Sequence, residues 1–133
     1  MARLTDADAA LIDKAREIIR KRYVPDRHHV GAALRTKAGQ IFAAVHIEAN
    51  CGGLAVCAEA IAIGMAAAAG DTDIDTIVAV RHEGRVVAPC GACRELISDY
   101  APDARVIVPG ENSEQVVPVA ALLPNKYRKP DGK

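Results

Sequence analysis

Three cysteines and one glutamate lie at the starts of two predicted helices. Cys57 and Glu59 open the first helix, and Cys90 and Cys93 open the second, 33 residues after Cys57. A βα repeat of that length places two helix N-termini side by side at one sheet edge. The N–H groups and partial positive charge of a helix N-terminus stabilise thiolates. Three thiolates suit tetrahedral Zn²⁺ with its fourth position left for water, so the spacing predicts a catalytic zinc site.

Two charged residues near the predicted ligands, Glu59 and Arg94, have candidate roles in the chemistry. A carboxylate two residues after Cys57, on the same helical turn, can face the open metal position without binding the metal. We therefore predict that Glu59 carries protons. Three thiolates on one Zn²⁺ leave a local charge of −1, which opposes deprotonation of water, so we expect Arg94 to donate a hydrogen bond to a cysteine sulfur.

The elements that must position these residues follow from periodicity. An amphipathic helix is predicted from a Thr5/Asp8 box to Tyr23, and β-like runs at 29–36 and 40–46 predict a hairpin. The remaining predicted elements are an apolar helix from 57 to 70, a strand over 74–80, a helix from 93 to 100 and a strand over 105–108. This alternation predicts an α/β fold with three layers around a mixed sheet.

Composition narrows the class of protein. The 133 residues predict one domain, 1–133, and 17 Lys+Arg against 17 Asp+Glu argue against nucleic acid as a partner. The longest apolar stretch, 58–69, contains Glu59 and is shorter than the roughly 20 residues of a membrane span. No secretory signal is visible, so we expect a cytoplasmic protein in which cysteines bind metal more often than they form disulfides.

Most of the chain resembles the zinc-dependent cytidine deaminases, whose signature is (H/C)-x-E followed by P-C-x-x-C. The resemblance is strongest to members that act on the nucleoside antibiotic blasticidin S. Its matching segments are HHVGAA, AVHIEA, CAEAIAIG, DTIVAVRH and PCGACRELISDYAPD between residues 28 and 103, and LLPNKY in the tail. The family's fold implies an α/β/α sandwich with a five-stranded mixed sheet, and relatives of this size are homotetramers.

The resemblance also implies roles for individual residues. Cys57, Cys90 and Cys93 would hold zinc, Glu59 would be the catalytic acid/base, and the main chain at Ala58 would contact the pyrimidine edge.

Further substrate contacts are implied at positions where this chain departs from its relatives. His46-x-Glu48 stands where relatives place an Asn-x-Glu pair that holds the sugar hydroxyls, and His28 stands where many have an aromatic residue. The resemblance implies that Tyr127 closes over an active site of its own or another subunit.

The function implied is hydrolysis of the 4-amino group of a free cytosine nucleoside or of a nucleoside antibiotic such as blasticidin S. One alternative is a general cytidine/deoxycytidine deaminase of pyrimidine salvage. A deaminase acting on RNA or DNA fits the neutral charge less well. A structural zinc protein without ammonia release is the alternative from another class. It gains support if Cys51, six residues before Cys57, bends back to complete a four-cysteine site; otherwise Cys51 is a free or packed thiol.

Overall fold

A mixed β-sheet forms the middle layer of the protein. The computed structural model describes residues 3–130. Its helices are α1 (Asp6–Arg22), α2 (Ala58–Ala68) and α3 (Gly91–Tyr100), with a 3-10 turn at Val119–Leu122. Its strands are β1 (Val30–Thr36), β2 (Ile41–Val45), β3 (Ile47–Glu48), β4 (Ala55–Val56), β5 (Ile74–Arg81), β6 (Val86–Val87), β7 (Arg105–Pro109) and β8 (Glu114–Pro118). None of the described helices is long and apolar enough to cross a membrane.

The strands of the main sheet lie in the order β2-β1-β5-β7-β8, and β6 pairs with β5 at one end. Strands β5 and β7 are parallel, whereas β1 is antiparallel to both β2 and β5, and β8 is antiparallel to β7. Strands β3 and β4 form a separate two-stranded ribbon. The predicted mixed sheet is therefore confirmed, with five strands in one row.

Alternating side chains of the sheet face two helical layers. In β1, Ala33 packs in the cluster that contains α1, and Leu34 packs in the opposite cluster, which contains α2 and α3. At Gly31 the sheet and α1 come unusually close, since an added Cβ would lie 2.7 Å from the Ala15 carbonyl oxygen and 2.8 Å from the Ile19 Cβ. The three-layer sandwich is confirmed: α1 covers one face, and α2 and α3 cover the other.

The structure contains strands that periodicity did not locate. The predicted hairpin is present as β1 and β2, but β8 lies in a segment after the strand predicted over 105–108 for which no element was predicted. Strands β3, β4 and β6 have two residues each, too few to show any alternation.

A buried carboxylate fastens the start of α1 to the sheet. Asp8 is fully buried; it completes the predicted capping box with Thr5 and accepts hydrogen bonds from Arg105 Nη2 at 2.9 Å and Arg35 Nη2 at 3.3 Å. Burial alone would raise the pKa of Asp8, but the hydrogen bonds from Arg105, the Thr5 N–H and Arg35 outweigh it and lower the pKa from 3.8 to about 2.

We predict that Asp8→Asn destabilises the protein by about 2 kcal/mol at neutral pH, the equivalent of the lowered pKa. Because the folded pKa lies below the unfolded one, this stability is present above about pH 4 and is lost as the pH falls towards about 2. Urea unfolding at several pH values measures it. The control is Asp13→Asn on the same helix, whose exposed ion pair with Arg16 at 3.8 Å is worth at most about 0.5 kcal/mol. Equal effects of the two substitutions would contradict the assignment.

Candidate functional site

Two helix N-termini bring three thiols together. Cys57 directly precedes α2 and Cys90 directly precedes α3. Both have the extended backbone typical of an N-cap residue, and neither side chain makes a capping hydrogen bond to its helix. Cys93 lies on the first turn of α3 and is buried. The Sγ atoms of Cys57 and Cys90 are 3.4 Å apart, and all three Sγ atoms lie within 4.8 Å of one another. The predicted cluster is therefore present, formed by residues at the starts of two helices.

The donor set fits a zinc ion. Zinc binds thiolate sulfur at about 2.3 Å in a tetrahedron, which separates neighbouring sulfurs by about 3.8 Å. The Cys57–Cys90 separation of 3.4 Å is close to that value and no separation exceeds 4.8 Å, so the three thiols can hold the metal with little movement. Within residues 3–130, no fourth His, Cys, Asp or Glu joins this group. Three protein ligands leave one tetrahedral position open, as in catalytic zinc sites.

The thiols differ in how readily they ionise. Burial opposes ionisation of Cys90, but the Cys93 backbone N–H and the neighbouring thiols outweigh it and lower the Cys90 pKa. Burial raises the pKa of Cys57 and, strongly, that of Cys93, and the nearby acidic groups add to the rise. Three thiolates at this spacing repel one another, so full ionisation of the cluster requires a bound cation.

Glu59 lies beside the thiols in a nearly closed environment. It is on the first turn of α2, is 5% exposed, and lines the same cavity as Cys57 and Cys90. Burial raises the pKa of its carboxyl above the usual value. A carboxyl whose pKa is raised towards neutral can both accept and return a proton, so the position suits general acid/base chemistry.

A cavity of about 270 Å³ opens next to the thiols. It is bounded by α2, by the β3–β4 ribbon, and by the segments that begin β1 and follow β6. Its lining residues are His29, Val30, His46, Glu48, Ala55, Val56, Cys57, Ala58, Glu59, Val87, Ala88 and Cys90. Four of the predicted site residues beyond the cysteines therefore meet in one cavity: His46, Glu48, Ala58 and Glu59.

The cavity also holds a hydrogen-bonded pair. Nε2 of His46 lies 2.9 Å from Oε1 of Glu48, and Nδ1 of His29 lies 3.8 Å from the same oxygen. The hydrogen bond to His46 is the main reason that the pKa of Glu48 is lowered. This carboxylate is therefore anionic and half-exposed, and it lines the space where a ligand would lie.

The other predicted residues lie outside this cavity. Nδ1 of His28 donates to the main-chain oxygen of His46 at 2.8 Å, and His28 lines a different groove. Arg94 donates to the carbonyls of Pro89 at 2.9 Å and Leu122 at 3.2 Å rather than to a sulfur, so it braces the turn that carries Cys90.

Tyr127 and Cys51 are both exposed and lie outside the cavity. Tyr127 is 73% exposed. The preceding residue, Lys126, connects the tail to α3 through ion pairs, with its Nζ 2.6 Å from the Glu95 carboxylate and 2.8 Å from that of Asp99. Cys51 is exposed in the loop before β4 and does not join the thiol cluster, which favours a free thiol over a four-cysteine site.

His29 is a histidine that lines the cavity but was not among the predicted site residues. It is adjacent to His28. Which of the two rings faces the cavity depends on the residue at which β1 begins, and the sequence pattern does not give that residue. The one usable signal is its place directly before Val30, the first residue of that strand. Burial lowers the pKa of His29, and the neighbouring His46 ring adds to that effect.

Sequence and structure comparisons agree on one family. The family profile described as "Cytidine and deoxycytidylate deaminase zinc-binding region" matches residues 5–109. Blasticidin-S deaminase of Bacillus cereus is 49% identical over 95% of this chain and 96% of its own. A cytidine deaminase of Halalkalibacterium halodurans is 36% identical over 91% and 94%. The crystal structure of cytidine deaminase from Burkholderia pseudomallei covers 93% of this chain and 100% of its own, with a TM-score of 0.76 and 32% identity.

We predict that the purified protein carries one zinc ion per chain and that Cys90→Ser abolishes this, because two thiols and a hydroxyl bind zinc much more weakly than three thiolates. Cys51→Ser is the matched control, since both cysteines are exposed. Elemental analysis after gel filtration gives the stoichiometry. Loss of zinc from Cys51→Ser would instead indicate the closed four-cysteine site.

Proposed function

This chain belongs to the cytidine and deoxycytidylate deaminase family, and from that membership we propose that it hydrolyses the 4-amino group of the cytosine ring of blasticidin S. The reaction consumes water and yields ammonia and the uracil derivative. The observation that carries the proposal is the buried carboxyl of Glu59 beside a three-thiol cluster with an open fourth position. The 49% identity to the Bacillus cereus enzyme, over nearly the whole of both chains, supports the choice of substrate.

The proposed chemistry divides between the metal site and one carboxyl group. Cys57, Cys90 and Cys93 would hold zinc, which when bound supplies a Lewis acid that lowers the pKa of water. Glu59 accepts a proton from water and delivers it to N3 of the cytosine ring, which makes C4 electrophilic. The hydroxide left from that water then forms a bond to C4 and makes it tetrahedral. The same carboxyl carries the hydroxyl proton of this carbon to the amino nitrogen, and the C4–N bond breaks to release ammonia and leave the C4 carbonyl. The raised pKa of Glu59 suits this exchange.

The cavity accounts for orientation of the substrate. Ala58 lines the cavity at the start of α2 between Cys57 and Glu59, and its main chain would contact the edge of the pyrimidine ring. Glu48 accepts hydrogen bonds from hydroxyl or amino groups on the part of the substrate that does not react. A ligand that places a pyrimidine base beside the thiols and a group rich in hydrogen-bond donors beside Glu48 has the two parts of a nucleoside.

A cytidine deaminase of nucleoside salvage is the second candidate. The 36% identity to the Halalkalibacterium halodurans protein and the Burkholderia pseudomallei structure support it. His46, in place of the asparagine expected from cytidine deaminases, argues against it, because this ring has no free polar atom to offer a sugar.

The deciding experiment is an ultraviolet absorbance assay of the zinc-loaded protein with blasticidin S, cytidine, deoxycytidine and cytosine. We expect kcat/KM for blasticidin S to exceed that for cytidine by at least about 10-fold, a difference of about 1.4 kcal/mol in transition-state binding. A preference for cytidine selects the second candidate. If the protein acts on none of the four compounds, the proposed deaminase function is wrong and only zinc binding remains.

The control for that assay is Glu59→Gln, which keeps the size of the side chain and removes its ability to carry protons. We expect kcat to fall by about 10²–10⁴-fold while the zinc content stays unchanged, since Glu59 is outside the ligand set. A variant that keeps most of its turnover would exclude Glu59 as the proton carrier.

We further propose that the protein acts as a homotetramer in the cytoplasm and confers resistance to the antibiotic. A groove of about 600 Å³ between the end of α1, β2 and α2 supports self-association, because it carries exposed apolar side chains of Tyr23, Val24, Ile47 and Met65. Burying such side chains between copies is favourable at about 25 cal/mol per Å². Sedimentation equilibrium should give four times the 14.0 kDa chain mass, and a monomer at micromolar concentration would refute this.

A further inference from the structure

The ring of His46 has no hydrogen-bonding atom left for a ligand. The residue is 6% exposed. Its Nδ1 lies 3.0 Å from the main-chain nitrogen of His29 and 3.4 Å from that of Val30, and its Nε2 lies 2.9 Å from Oε1 of Glu48. A main-chain N–H can only donate, so Nδ1 must be the acceptor. The ring proton is therefore on Nε2, which donates to the carboxylate.

We propose that His46 is a positioning residue, which contacts no substrate and holds the Glu48 carboxylate in the cavity as an acceptor for the non-reacting part of the substrate. The proposal rests on the proposed function only for the identity of that substrate. The start of β1 fixes the ring through two main-chain N–H groups, and the ring in turn fixes the carboxylate.

The backbone of Glu48 is held as well. Its main-chain oxygen accepts a hydrogen bond from Arg27 Nη1 at 2.9 Å, so both ends of the residue are restrained. The His29 ring packs against the His46 ring, with centroids 4.0 Å apart at 64°, and supports it from the side. The side chain of Glu48 nevertheless keeps 32% of its surface exposed, so the carboxylate is fixed but reachable.

A second metal ion is the competing interpretation of the same residues. Ligand atoms of His29, His46 and Glu48 lie within 4.8 Å of one another, as those of a metal site would. A histidine that binds metal presents a bare ring nitrogen to the ion and donates from its other nitrogen. In His46 the bare nitrogen faces main-chain donors and the protonated nitrogen faces Glu48. The hydrogen bonds are thus opposite to those of a metal ligand.

Two substitutions separate the functions of the two ring nitrogens. His46→Asn can keep an acceptor near Nδ1 but cannot reach Glu48, whereas His46→Gln can place an amide donor near the position of Nε2. We expect KM to rise about 10-fold in His46→Asn, because the Glu48 carboxylate is no longer held in place to bind the substrate. We expect kcat to change by less than about twofold, because Glu48 binds a part of the substrate that does not react. His46→Gln should bring KM to within about threefold of the wild type. Equal KM values for the two variants would overturn the proposal.

The tautomer is tested without any activity. A long-range ¹H–¹⁵N spectrum of the full-length, zinc-loaded protein should show His46 protonated at Nε2 and bare at Nδ1. Protonation at Nδ1, or a second zinc ion that His46→Asn removes, would overturn the proposal. If the wild type is inactive on every cytosine compound, the proposed function fails, while the spectrum still decides the state of His46. The spectrum also covers the case in which a variant does not fold.

Discussion

The requirement that three sulfur atoms meet within 4.8 Å determines most of the structure. Two thiols come from the start of α3 and one from the start of α2, so the N-termini of these helices must lie side by side. Packing of both helices on the same face of the sheet meets this requirement, and the intervening strand β5 provides the crossover. Three like charges cannot persist at this distance without compensation. The helix N-termini supply part of it, and a cation supplies the rest.

The cavity beside the three thiols contains two glutamates, Glu59 and Glu48. Glu59 is buried and its pKa is raised, whereas Glu48 is half-exposed and its pKa is lowered. The pKa values of these two carboxyl groups are thus shifted in opposite directions: burial raises that of Glu59, and the hydrogen bond from His46 lowers that of Glu48. The first is suited to proton transfer and the second to permanent anionic contact. This division explains how a small pocket can carry out chemistry at one end and selection at the other.

The thiol cluster could be predicted because its information is local in sequence. Cys57, Glu59, Cys90 and Cys93 each lie at a helix start, and helix starts follow from periodicity. The direction of a side chain near a strand end does not, which is why His29 was left out of the predicted site. The proposed substrate contact of His28 came from the family resemblance, and in the structure His28 lines a different groove. The targets of Arg94 also depended on tertiary contacts, since the Leu122 carbonyl comes from a turn 28 residues away. Strand β8 was missed because its apolar run, Val116 and Val117, is too short to show a period.

The β3–β4 ribbon has a further consequence for how this protein can change. It contributes Glu48, Ala55 and Val56 to the cavity, yet it is not paired with the main sheet. Ala55 and Val56 are exposed, so replacing them disturbs no core packing. Selection on substrate range can therefore act on this ribbon almost independently of selection on stability, which acts on the sandwich. Substitutions in this hairpin can therefore alter the shape of the cavity while the three cysteines and Glu59 stay in place.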